Sequence, residues 1–276
     1  PTVHTGGVYK RQGSGDTNGQ RNTIMKKLIH FGCSFAMGNG VPTYIEGLES
    51  GAHVHKDRGS FKQKYGMKAK SPQTCGSVLA DKMKLQFQKV AGNGISNEMV
   101  VRKLLQTDLK DSFVLIGLTS HNRREALTTS FNSSHWQTYK MVAPEGEYKK
   151  FKNLIFNPWD KEYTVDLYGD GQIRTAIQIL YMQSYLKGKN VPYLFFNALH
   201  NDFDKPINSE CDQLLGQVNT KNFYKLRGNF DDCQHGWCLK KELVVSDLDQ
   251  HPNIKGQRAW ADRLEPQIKE IINANR

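Results

Sequence analysis

Three features of the sequence predict an α/β fold with a mostly parallel central sheet between two layers of helices. Strand-like apolar runs alternate with segments of helical period, the pattern of successive βαβ units. One of the runs, Phe113–Leu118, is continuously apolar, as in a strand covered on both faces, and Tyr193–Leu199 reads as another buried strand. Short stretches of Gly, Ser, Asn and His follow the runs directly, at the sheet edge where α/β folds hold ligands. Right-handed crossovers then give a three-layer sandwich.

The elements follow in order. Leu28–Phe31 reads as the first strand and ends at Gly32. Residues 72–84 read as a helix, and Leu85–Val90 as the second strand. After Gly92-Asn93-Gly94, Ser96 is placed to cap a helix running to Thr107, with Val100, Val101, Leu104 and Leu105 on its apolar face. Phe113–Leu118 is the third strand. Residues 121–170 show no clean period and read as an excursion with little regular structure. Ile173, Ala176, Ile177, Leu180 and Ser184 mark the next helix, and Tyr193–Leu199 the next buried strand. Residues 201–245 read as irregular. A last helix begins near Pro252 and carries Trp260, Leu264, Ile268 and Ile271 along one side.

Composition bounds the function. At about 150 residues per domain, 276 residues make one large domain or two small ones. Residues 1–24 are polar and too poor in apolar side chains to build a core, so they read as a disordered or non-native extension, and 25–276 as a single domain with insertions at about 38–70 and 121–170. With 38% hydrophobic and 24% charged residues the chain is neither fibrous nor disordered as a whole. No run approaches the roughly 18 apolar residues of a membrane span, and no secretory signal is visible, which predicts a cytoplasmic protein with no membrane partner. Five cysteines at scattered spacings make no disulfide framework, and Cys233-x-His235-x-x-Cys238 lacks the second ligand pair of a structural zinc site. The net charge of +11 favours acidic partners. Its densest run, Lys56, Arg58, Lys62, Lys64, Lys68 and Lys70, contains only Phe61 and Tyr65 as aromatics, too few for a nucleic-acid module, and reads as a solvated loop. Gly13, Gly15 and Gly19 follow no strand, which sets a phosphate loop aside.

The residues after the strands suit nucleophilic catalysis. Ser34 stands on the turn leaving the first strand. A serine hydroxyl needs a base, and His251, just before the last helix, is the candidate. An acid is needed to orient it: Asp249 lies two residues before His251 and Asp247 four. An oxyanion would be held by the N–H groups of Ser34 and Gly94 and by a polar side chain from the loop after the third strand, where Thr119 and Asn122 are the candidates. His121, Arg123 and Arg124 share that loop, and the two arginines flank the site.

At these blocks the chain resembles the SGNH (GDSL-like) hydrolase family, over residues 25–276 and in the family's block order. Phe31-Gly32-Cys33-Ser34-Phe35 looks like the nucleophile block, with Cys33 where the family usually has aspartate; Gly94-Ile95-Ser96-Asn97 looks like the second block; Asp249-Gln250-His251-Pro252-Asn253 looks like the last, with Gly256 and Trp260-Ala261 following. The Gly-Cys-Ser start and Thr-Ser third block resemble phage-encoded members. The resemblance implies an SGNH/flavodoxin-like sandwich and an esterase or carbohydrate O-deacetylase working without metal or cofactor, on a small-molecule or carbohydrate ester. Two departures stand out. Thr119 occupies the place of the third-block asparagine, and position 248 of the expected Asp-x-x-His is leucine. The first of these motivates an alternative: a non-catalytic protein of the same fold that binds an anionic polymer.

Overall fold

The computed structural model describes residues 25–38, 73–130, 133–140 and 167–275, of which 126–130, 133–140 and 167–170 are described by their backbone alone. The extension 1–24 and the basic run 56–70 lie outside the described residues.

Five strands form one parallel sheet: β1 (Lys27–Gly32), β2 (Gln86–Ala91), β3 (Ser112–Leu118), β6 (Tyr193–Asn197) and β7 (Phe223–Tyr224). Their order, β2-β1-β3-β6-β7, is the doubly wound flavodoxin-like arrangement, so the fold is the α/β sandwich that the sequence predicts. One row of paired residues, Val90, Phe31, Ile116, Phe195 and Phe223, crosses all five strands. All seven residues of β3 are buried, as its unbroken apolar run requires. The edge strand β2 alternates between exposed and half-buried positions.

The helices start where their caps allow. Thr74 and Ser77 form a reciprocal capping box before α2 (Cys75–Met83), Ser96 accepts from the Met99 N–H before α3 (Asn97–Gln106), and Asn253 accepts from the Gly256 N–H before the last helix, α7 (Ile254–Ala274). α2 and α7 pack together over one face of the sheet, while α3 packs with α4 (Leu167–Gly188). Trp260 of α7 is fully buried, with its ring 5.9 Å from that of Phe196.

Two stretches carry more structure than the sequence reading expects. Within 121–170, β4 (Arg123–Ser130) and β5 (Ser133–Lys140) form an antiparallel hairpin in register from Arg123↔Lys140 to Ser130↔Ser133. The hairpin is a separate two-stranded sheet, and polar residues fill most of its positions, so no apolar alternation betrays it. Within 201–245 lie α5 (Ser209–Gly216), β7 and α6 (Gln234–Lys240). These elements are too short to show a period. α6 is capped by the Cys233 sulfur, which accepts from the Gly236 N–H, and cysteine is not a residue that announces a helix start.

His30, in the middle of β1, is sealed beneath α2. A Cβ on Gly76 would lie 2.5 Å from its Nδ1, so only glycine leaves room for the ring. Neither ring nitrogen bonds a described residue. Burial, with a smaller contribution from Lys89, pushes its pKa from 6.5 down to about 3. Between those values the unfolded chain binds more protons than the folded one. Stability is therefore complete above 6.5 and falls as the pH drops towards 3, by up to ~1.4 kcal/mol per pH unit. His121, lowered to about 4 by its own burial, adds to the same slope. The stability lost between pH 7 and pH 5, from urea midpoints, is expected to be about 2 kcal/mol smaller in His30→Leu than in the wild type. Equal losses would contradict this account of His30.

Candidate active site

Ser34 leaves β1 as the first residue of α1 (Ser34–Met37), a single turn closed by Gly38 at φ 78°. The turn is tight: a Cβ on Gly32 would lie 3.0 Å from the Ala36 Cβ and 3.1 Å from the Gly117 carbonyl oxygen. The Ser34 Oγ lies 2.9 Å from the His251 Nε2, joining residues 217 positions apart in the chain. On the other side of the ring, Nδ1 lies 2.6 Å from an Asp249 carboxylate oxygen. These partners select the tautomer with the proton on Nδ1, which leaves Nε2 to accept from the serine hydroxyl.

The loop bearing His251 is strapped at several points. Asp249 accepts from the His251 N–H, and the Asp249 N–H donates to the Ser246 hydroxyl. Val245 N–H donates to the His251 carbonyl, and Asn253 bonds Leu243 and Val244 with its backbone and side chain. Asp247 is exposed on the same turn and bonds no described residue. Of the two acids the sequence offers, Asp249 is the one that faces the imidazole.

Gln257, absent from the sequence reading, ties this framework together. It is fully buried on α7; its Nε2 donates to the Phe35 carbonyl, and its Oε1 accepts from the Cys75 N–H and from Gln234. The residue after the nucleophile is thus tied to the helix that follows His251. Aromatic rings close one side. Phe35 lies 5.2 Å from His251 and 5.8 Å from His235, and His235 contacts Phe230 and bonds Gln250. Burial lowers the His235 pKa, opposed by the Gln250 bond and assisted by His251.

The candidate oxyanion donors fare differently from one another. Ser34 and Gly94 lie on turns at neighbouring strand ends, and Gly94 adopts the left-handed φ of 67° that its residue type permits. Thr119 is fully buried. The Asn97 side chain occupies both its N–H and its carbonyl, and its hydroxyl accepts from Arg123. Asn122 is half-buried; its N–H donates to the Ser120 hydroxyl, and its amide oxygen meets no partner among the described residues.

All five cysteines are buried free thiols, and burial drives Cys75 and Cys238 up to about 12 and Cys233 to about 11. The last three stay protonated thiols at neutral pH. Among the described residues, a group with the geometry to hold a metal is His200, Asp202 and Asp204, beyond β6. There the His200 ring nitrogens lie 2.7 Å from an Asp202 carboxylate oxygen and 3.3 Å from one of Asp204. Among the described residues, no helix is long and apolar enough to cross a membrane.

No family model matches the chain, and no curated protein does. Among solved structures it is similar to a carbohydrate esterase described as having divergent catalytic and non-catalytic binding functions in its active site, at 13% identity over 90% of this chain and 67% of that one, with a TM-score of 0.42. It is similar to an acetyl xylan esterase from the rumen bacterium Butyrivibrio proteoclasticus at 11% identity, covering 90% of this chain and 64% of that one, with a TM-score of 0.43. A third likeness is to another acetyl xylan esterase, at 12% identity over 86% and 97% of the two chains and a TM-score of 0.40. The fold assignment rests on this chain's own strand order, and no residue role is taken from these proteins.

Proposed function

We propose that this chain is a serine hydrolase of carboxylic esters. The observation that carries the reading is the continuous contact from the Ser34 Oγ through both nitrogens of His251 to Asp249, assembled at the carboxyl edge of the parallel sheet. Ser34 attacks the ester carbonyl carbon while its proton passes to the His251 Nε2. The tetrahedral intermediate collapses, and the leaving alkoxide takes that proton from His251. Water, deprotonated by the same histidine, then releases the acid from Ser34. Asp249 holds the ring and stabilises its charged form. The N–H groups of Ser34 and Gly94 are the backbone donors to the oxyanion.

Asp249→Asn is expected to lower kcat on the order of 10³-fold or more with little change in KM, because the amide leaves the imidazole in the wrong tautomer. Asp247→Asn should leave kcat within about twofold. Equal losses in the two variants would remove Asp249 from this role.

The substrate class we favour is a short acyl ester of a polar alcohol such as a sugar. Phe35 packs against His251, and beside it His235 contacts Phe35 and Phe230 and bonds Gln250, so the described groups on this side are aromatic and hydrogen-bonding. Acetate release from an O-acetylated oligosaccharide tests this against hydrolysis of a dodecanoyl ester. A higher kcat/KM for the acetylated sugar is expected; a preference for the long chain would overturn this choice of substrate.

A further inference from the structure

Thr119, Asn122 and Arg123 all follow β3, where the third donor of the oxyanion site is sought. Resting on the ester-hydrolase reading above, we propose that Arg123 fills this role, its guanidinium joining the backbone N–H groups of Ser34 and Gly94 around the oxyanion.

The argument starts from topology. β1 lies between β2 and β3, so Ser34 at its end is flanked by the loop after β2, which holds Gly94, and the loop after β3, which holds Thr119. With neighbouring strands about 4.8 Å apart, the ends of β2 and β3 are separated by about 10 Å, with the end of β1 between them. Arg123, the first residue of β4, joins the two loops. One terminal nitrogen of its guanidinium donates to the Thr119 hydroxyl at 2.7 Å and to the carbonyl of Ile95, the residue after Gly94, at 3.4 Å. The Ser120–Arg123 turn, closed by the Arg123 N–H on the Ser120 carbonyl at 3.1 Å, brings the side chain back over its own loop.

Thr119 itself is sealed. It has no exposed surface, Asn97 takes both polar groups of its backbone, and its hydroxyl receives the arginine. A group without exposed surface does not meet a substrate oxygen. Arg123 is half-buried, and its other guanidinium N–H groups bond no described residue. Among the described residues the nearby acids are engaged elsewhere: Glu98 pairs with Arg174 at 2.9 Å and Glu125 with Arg102 at 2.8 Å. The charge of Arg123 is thus left for an anion. A guanidinium does not give up its proton in this step. When Ser34 attacks, the carbonyl π pair moves onto oxygen, the serine proton goes to His251, and Arg123 only donates hydrogen bonds to the new oxyanion. Such charge-assisted donation is stronger than that of the amide it replaces.

The test measures p-nitrophenyl acetate hydrolysis by the wild type, Arg123→Ala, Arg123→Lys, Thr119→Val and Asn122→Ala, with inhibition by a boronic acid that mimics the tetrahedral state. Arg123→Ala is expected to lose about 100-fold or more in kcat with KM within threefold, and to bind the boronic acid weaker by a similar factor. Arg123→Lys should recover part of the loss. Added guanidinium ion should raise the rate of Arg123→Ala and leave Ser34→Ala unchanged, a rescue that a merely structural role for Arg123 would not show. Thr119→Val and Asn122→Ala should each lose less than tenfold. An Arg123→Ala enzyme within threefold of wild type, a loss confined to KM, or a larger loss from Thr119→Val or Asn122→Ala would overturn the assignment while leaving the ester hydrolase standing. A wild type that neither hydrolyses the ester nor is labelled on Ser34 would overturn both.

Discussion

Ser34→Ala is expected to reduce kcat for p-nitrophenyl acetate by about 10⁴–10⁶-fold while leaving the fold intact. The hydroxyl removed is the one 2.9 Å from the His251 Nε2, and no other described group stands in that contact. His251→Ala should cost a similar factor. The two losses should not add, because serine and histidine act as one unit: once the base is gone, removing the nucleophile has little left to abolish. The double variant should therefore match the worse single variant to within about threefold. Multiplying losses would mean that the two residues work independently, contrary to the hydrogen bond between them.

Gln257→Leu is expected to destabilise the fold more than any substitution of Ser34, Asp249 or His251, with a loss of activity in its wake. The substitution nearly conserves volume, so no large cavity opens. It does strip partners from the Cys75 N–H, the Phe35 carbonyl and the Gln234 amide, all buried. The Phe35 carbonyl keeps the Gly38 N–H at 3.3 Å, but the Cys75 N–H and the Gln234 amide are left unsatisfied at about 1–3 kcal/mol each, so a total of about 3–5 kcal/mol is expected. For a domain of this size that corresponds to a fall in Tm of about 10 °C. Because Phe35 follows the nucleophile directly, kcat measured below the transition should also fall, by about tenfold, as Ser34 loses its fixed register with His251. A Tm within 2 °C of wild type would contradict the role given to Gln257.

The sheet was legible because its signal is strong. Phe113–Leu118 and Tyr193–Asn197 are runs that suit a doubly covered strand, and Ser96 marks a helix start by a well-understood hydrogen bond. Ser34 and His251 were legible from their places after the first strand and before the last helix. The choice between Asp249 and Asp247 was not, because two residues on one turn differ in direction rather than in chemistry; the 2.6 Å contact to Asp249 arises from the straps around Ser246. Polar residues that act by tying segments together left no mark on the sequence. Gln257, Asn97 and Arg123 each owe their position to partners far along the chain or across a turn, and hydrophobic periodicity carries no information about them. The β4–β5 hairpin was hidden for a related reason, since its strands pair with each other and display no apolar face in the sequence. Thr119 is a position where register and burial point different ways. It stands where the resembled family has its asparagine, yet it is buried and receives a hydrogen bond from Arg123. If Arg123 is the donor proposed above, the missing asparagine no longer argues for a non-catalytic scaffold.

The most direct test of the central claim is covalent labelling by a fluorophosphonate, read by intact mass and by mapping the modified peptide. The account predicts one adduct, on Ser34, absent from Ser34→Ala and formed at least 100-fold more slowly in His251→Ala. An adduct on another residue, no adduct at all, or labelling of His251→Ala at the wild-type rate would contradict it.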